Sequence, residues 1–205
     1  MTAILKVDTI QDTSGNNIIN ESSDTITIGA SGDTITIPSG ATITNSGTAS
    51  GFGITEADQW RITANHSGVA VITANWERVD TYSYSQIGTG MTESSGIFSF
   101  PSTGIYRIDF YATSLTSGGS TGFLRGDIDH TEDNGTYNTA SVGYSGIYTD
   151  GAYSNISIFS IFDVTNVSTH KVRFELGQNS SATPIFTGST SQTRTSALFT
   201  RLGDT

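Results

Sequence analysis

Phe98-Ser99-Phe100-Pro101-Ser102-Thr103-Gly104-Ile105-Tyr106-Arg107-Ile108-Asp109-Phe110 decides how the rest of the chain reads. Pro101 cannot donate to a strand ladder, and Gly104 tolerates backbone angles that other residues avoid, so the two predict a turn. After the turn, Tyr106, Ile108, Phe110 and Ala112 alternate with Ile105, Arg107, Asp109 and Tyr111. A period of two is the mark of a strand whose first set faces a core.

The same pattern returns in Val172, Phe174 and Leu176 against Lys171, Arg173 and Glu175. Turn clusters separate such runs, among them Thr116-Ser117-Gly118-Gly119-Ser120, Glu132-Asp133-Asn134-Gly135, Thr149-Asp150-Gly151 and Gln178-Asn179-Ser180-Ser181. Ten or so strands follow, which predicts an all-β sandwich or jelly roll. Ile156-Ser157-Ile158-Phe159-Ser160-Ile161-Phe162 is unusual: Ile156, Ile158 and Phe162 fall on one face, Phe159 and Ile161 on the other. A strand apolar on both faces is covered on both, so these residues are candidates for a subunit interface.

Composition agrees. The 205 residues include 33 Thr, 28 Ser and 23 Gly, and only 14% are charged. Few charges and many β-branched residues disfavour helices. The net charge of −10 argues against nucleic-acid binding, which needs cations to displace counterions. No apolar run approaches a membrane span of about 20 residues, and the first residues do not read as a signal peptide, so no membrane insertion is expected. There is no cysteine, hence neither a disulfide nor a thiolate metal site.

Aromatic residues divide the chain. Of 20, only Phe52 precedes residue 54. Residues 54–205 hold an aromatic core, and 1–53 do not. The small-residue stretch 46–53 marks the boundary. Before it lies a repeat: Asp24-Thr25-Ile26-Thr27-Ile28 returns as Asp33-Thr34-Ile35-Thr36-Ile37, and weakly as Ala41-Thr42-Ile43-Thr44, with Ile18 eight residues ahead of Ile26. A five-residue strand cannot offset its ordering entropy, about 1–2 kcal/mol per residue. Three chains wound about one axis would bury Ile18, Ile26, Ile28, Ile35, Ile37 and Ile43 and show Thr to water. Residues 21–53 therefore read as a short intertwined trimeric β-shaft with its hinge. A Thr-rich linker is the other reading, though it gives no reason for the fixed spacing. Ile4, Leu5, Val7 and Ile10 make residues 1–20 either a docking segment or a disordered start.

No nucleophile motif accompanies His66, His130 or His170, so no enzyme, catalytic residue or cofactor is expected. Arg125-Gly126-Asp127 lies in a run that reads as a strand, not a loop tip. Asp127, Asp129, Glu132 and Asp133 offer hard oxygen ligands for Ca²⁺ or form a solvated acidic loop. Tyr82, Tyr84, Tyr137, Tyr144, Tyr148 and Tyr153, set among Ser, Gly, Asn and Thr, suit either an adaptable binding surface or strand packing.

Phe98, Gly104, Tyr106, Ile108 and Phe110 resemble the signature of the C1q/TNF-like jelly-roll superfamily in spacing, with Ile108 where that family has Phe. The resemblance implies a head of two five-stranded sheets in a tight homotrimer. Ile4–Asp12, Asp58-Gln59-Trp60-Arg61-Ile62 and Asn75–Asp80 leading to Gly88–Met91 resemble virion proteins of tailed bacteriophages. That implies a fibre or knob on the tail or capsid surface, joined to other virion proteins by residues 1–20. Its head would bind a host glycan or outer-membrane protein. The alternative is a capsid decoration protein that stabilises the shell, and a glycan depolymerase is a third reading.

Overall fold

The computed structural model describes residues 9–11, 13–15, 17–22, 25–29, 31–44, 53–179 and 182–205, with backbone only at 17, 18 and 20–22. Residues 1–8 of the expected docking segment 1–20, residues 46–52 of the boundary stretch 46–53 and the Ile18 side chain lie outside the described residues. The chain divides into two compact units, Met1–Ser50 and Gly51–Thr205.

In the first unit, β1 (Thr9–Gln11), β2 (Asn17–Ser22) and β3 (Thr25–Ile28) form an antiparallel three-stranded sheet. Ile26 and Ile28 of the first repeat lie in β3, opposite Glu21 and Ile19 of β2. The later copies, with Ile35, Ile37 and Ile43, lie outside any strand. This corrects the expectation that each copy forms a strand: β3 finds β2 as a ladder partner within the chain, and the later copies find none. All five of these isoleucines are exposed in the single chain.

The second unit is a sandwich. Its strands are β4 (Ala57–Ile62), β5 (His66–Ser67), β6 (Ala70–Val71), β7 (Trp76–Arg78), β8 (Thr92–Ser94), β9 (Ile97–Ser99), β10 (Gly104–Ser117), β11 (Thr121–Thr131), β12 (Asn138–Ile147), β13 (Ser154–Val164), β14 (Lys171–Gln178), β15 (Thr183–Phe186) and β16 (Thr195–Gly203). One sheet runs β5-β15-β10-β16-β4-β7 with β13 paired to β10. The other runs β12-β11-β14-β9-β8 with β6 paired to β14. The described residues contain no helix.

The deciding stretch behaves as its alternation requires. Phe98, Tyr106, Ile108 and Phe110 are buried, while Arg107 points outward. Gly104 has φ +142°, and a Cβ there would lie 2.4 Å from Arg201 Nε and 2.6 Å from the Gly203 carbonyl. Only glycine lets β10 start that close to the end of β16. The Tyr106 hydroxyl reaches back to the turn, 2.9 Å from Ser102 Oγ and 3.2 Å from the Ser102 carbonyl. Between the sheets, Phe110 stacks on Phe174 at 4.7 Å, and Phe98 meets Trp60, Trp76, Phe174 and Phe199.

Candidate functional site: the outward face of the seven-stranded sheet

Period two places Ile156, Ile158, Ser160, Phe162 and Val164 of β13 inward and Phe159 and Ile161 outward. Ile156 and Phe162 are buried in the subunit's own core and Ile158 packs against it. That corrects the assignment of these three to an interface. Alternation is kept because Ser160, small and polar, takes the remaining inward place and bonds His130 Nε2 at 3.0 Å.

Phe159 and Ile161 remain 55% and 52% exposed. Register shows what surrounds them. Asp109 of β10 sits between Phe159 and Leu198, Arg107 between Ile161 and Thr200, and Tyr111 between Ser157 and Ser196. Leu198 in turn faces Gln59 of β4. Three adjacent strands, β13, β10 and β16, thus display Phe159, Ile161, Tyr111, Leu198 and Leu202, all exposed, on the side opposite the core. At the centre Arg107 forks onto Asp109, Nη2 to Oδ1 at 2.7 Å, and its guanidinium lies 4.7 Å over the Phe159 ring. A shallow groove of about 480 Å³ runs here, lined by Gln59, Arg107, Asp109, Tyr111, Leu198 and Thr200 among others. The charges are neutralised within the chain, so the face can meet another apolar face without stranding an ion.

The other outward face is built from ions. Arg125 Nη2 lies 2.7 Å from Asp127, and Arg173 Nε lies 3.1 Å from Asp129 and stacks its guanidinium 4.1 Å over Tyr137. Burial pushes the Asp127 carboxyl up to about 6 despite Arg125 beside it. The Arg125-Gly126-Asp127 triplet therefore lies mid-strand with its ends paired to each other. Asp133 caps the following turn, accepting from Gly135 N, Thr136 N and Thr131 Oγ1, which lower its pKa to about 2. Among the described residues no three of His, Cys, Asp and Glu come together to hold a metal ion.

Two buried hubs escaped the sequence. Asp58 accepts from Trp60 Nε1, Arg78, Tyr84 Oη and Met91 N, which pins the 80–91 connection onto β4. Burial raises the Tyr84 hydroxyl to about 12. Arg61, fully buried, binds Glu77, Asp80, Thr81 and the Thr190 carbonyl. Their one local signal is that Asp58-Gln59-Trp60-Arg61 and Trp76-Glu77-Arg78 both mix charge with tryptophan. The two stretches are paired strands, Trp60 opposite Arg78.

No protein-family model matches the chain, and no curated protein does. Solved structures do. Murine APRIL at pH 5.0 aligns with a TM-score of 0.52 at 16% identity, over 72% of this chain and 98% of that one. Eiger TNF from S. frugiperda aligns with a TM-score of 0.55 at 10% identity, over 73% of this chain and 93% of that one. The fold is a TNF-like jelly roll.

Proposed function

We propose that the chain is a homotrimeric, non-enzymatic surface protein of a tailed-bacteriophage virion, on tail or capsid, whose jelly-roll head binds the host. The observation that carries the assembly is the exposed set Phe159, Ile161, Tyr111, Leu198 and Leu202 on one sheet face. A monomer would leave these side chains in water at about 25 cal/mol per Å² of apolar surface. A second and third copy are the occupants, because the Arg107–Asp109 pair at the centre is self-neutralised. The isoleucine repeat supports the same number of chains, since one chain leaves Ile26, Ile28, Ile35, Ile37 and Ile43 exposed. Residues 1–20 would hold the particle and residues 21–53 would wind with the partners' copies. The virion reading is supported by the resemblance of residues 4–12, 58–62, 75–80 and 88–91.

Light scattering after size exclusion should give three times the 21.6 kDa chain mass. Antibody against the head should label intact particles, and the soluble protein should compete with adsorption to host cells. Adsorption unchanged, with capsids that burst on heating when the protein is missing, would make it a decoration protein instead.

A further inference from the structure

One edge of the molecule carries a row of exposed rings that neither the core nor the proposed trimer face uses. β12 is the edge strand of its sheet. A Cβ on Gly143 would strike Ile158 and Ile156, so Gly143 faces inward and Val142, Tyr144, Gly146 and Tyr148 face outward. Tyr144 is 60% and Tyr148 88% exposed. Phe123 of β11 meets Tyr144 edge-on at 5.1 Å. Gly146 makes a floor: a Cβ there would lie 3.3 Å from the Tyr148 hydroxyl, which places the phenol end over the strand at that position.

The surroundings are polar, and their one cation is already paired. Arg125, the nearest cation on β11, is paired with Asp127 and lies 3.8 Å from Glu175. In the neighbouring loops, residues 117–120 and 149–153, the one charge is Asp150, whose Oδ1 accepts from Gly119 N at 3.3 Å. The Gly151 N–H bonds the Thr116 carbonyl at 3.2 Å, tying the two loops together. Asn179 Oδ1 accepts from Phe123 N at 3.1 Å, which places a side-chain amide beside the rings.

We infer that the Phe123–Tyr144–Tyr148 row is the head's ligand-binding surface and that its ligand is an uncharged oligosaccharide. This rests on the host-binding reading above. Aromatic faces pack against the C–H faces of pyranose rings, and the flanking Ser, Thr and Asn groups match sugar hydroxyls. Tyrosine supplies that area at low entropy cost. Arg125 is already paired with Asp127, and the remaining charges, Glu175 and Asp150, are acidic, so an anionic polymer finds no counter-charge here. A protein partner would call for a continuous apolar centre, and glycine and serine interrupt this row. Three weak copies on one trimer would act together.

The test uses the full chain on immobilised dextran, mannan and chitooligosaccharide, with alginate and heparin as charged counterparts, and in parallel on host cells. The expected result is retention on at least one neutral glycan, lost tenfold or more in Tyr148→Ala and in Tyr144→Ala. Tyr82→Ala, an equally exposed ring on another loop, should bind as wild type. Binding to the charged polymers alone, to none of the five, or to a neutral glycan equally in all variants overturns the inference. If wild type and both variants bind cells equally, the row is wrong and the host-binding reading stands. If wild type binds no cells, that reading itself fails.

Discussion

The two sheets turn chemically opposite faces outward. The seven-stranded sheet shows Phe159, Ile161, Tyr111, Leu198 and Leu202 around the Arg107–Asp109 pair, with the Arg61–Glu77–Asp80 cluster at its β4–β7 end. The six-stranded sheet shows Arg125, Asp127, Asp129, Arg173 and Glu175 in mutual pairs. Both are antiparallel and share one core, so backbone alone does not separate them. The difference is carried by what stands at the outward positions of one strand in each sheet: Phe159 and Ile161 on β13, Arg125, Asp127 and Asp129 on β11. Asp127 and Asp129 are buried within their pairs on one face, whereas the exposed large apolar side chains of the other gain by being covered.

The largest expected effect breaks that contrast directly. Phe159→Asp with Ile161→Asp should convert the proposed trimer to monomer in light scattering, since buried unpaired carboxylates are costly. Val142→Asp, an equally apolar-to-acidic change on the six-stranded face, should leave the mass unchanged. If both substitutions dissociate the protein, or neither does, the two faces are not distinct in the way argued.

The core should show no such asymmetry. Phe110 belongs to one sheet and Phe174 to the other, and they stack on each other, both fully buried. Phe110→Ala and Phe174→Ala should each cost about 3–5 kcal/mol in denaturant unfolding. A loss under about 1 kcal/mol in either would show that its ring is not core.

A smaller effect separates the two sides of β11. Asp127 faces outward and is held up at about 6. His130 faces inward, stacked on Phe162 at 4.0 Å, and burial lowers it to about 4. A histidine depressed from 6.5 in the unfolded chain contributes stability that is present above pH 6.5 and lost as pH falls toward 4. A raised carboxyl acts in the opposite sense: its contribution is present below pH 3.8 and lost as pH rises through 6. His130→Gln should therefore flatten the acid-side fall in melting temperature, by on the order of 1–3 kcal/mol between pH 6.5 and 4.5. Asp127→Asn should stabilise the protein at pH 7 relative to pH 4. An unchanged pH profile in His130→Gln would mean that its ring is not desolvated.

Much of the jelly roll was legible. Tyr106, Ile108, Phe110 and Ala112 announce their strand because a period of two shows in the chain itself, and Phe159 with Ile161 stand out as apolar residues on the outward face of β13. The assignment of Ile156, Ile158 and Phe162 to that cover failed for a definite reason: a strand with apolar residues on both faces does not say which face meets its own core. The Asp58 and Arg61 hubs were illegible, since Tyr84 and Met91 lie 26 and 33 residues from Asp58 and Thr190 lies 129 residues from Arg61. The aromatic row on β12 was half visible. The tyrosines stood out by composition, but only the sheet order puts Phe123 beside Tyr144 and Gly146 beneath Tyr148.

By itself the sequence determined the class of structure. Alternation, turn residues and the aromatic boundary at residue 54 are local properties, and the strand repeat turns them directly into an all-β head with a fixed inner set. Only the tertiary structure decided which sheet keeps a bare apolar face and which covers its own with ions. That choice depends on strand order and register, which join residues far apart in the chain, and no local pattern records who the neighbour will be.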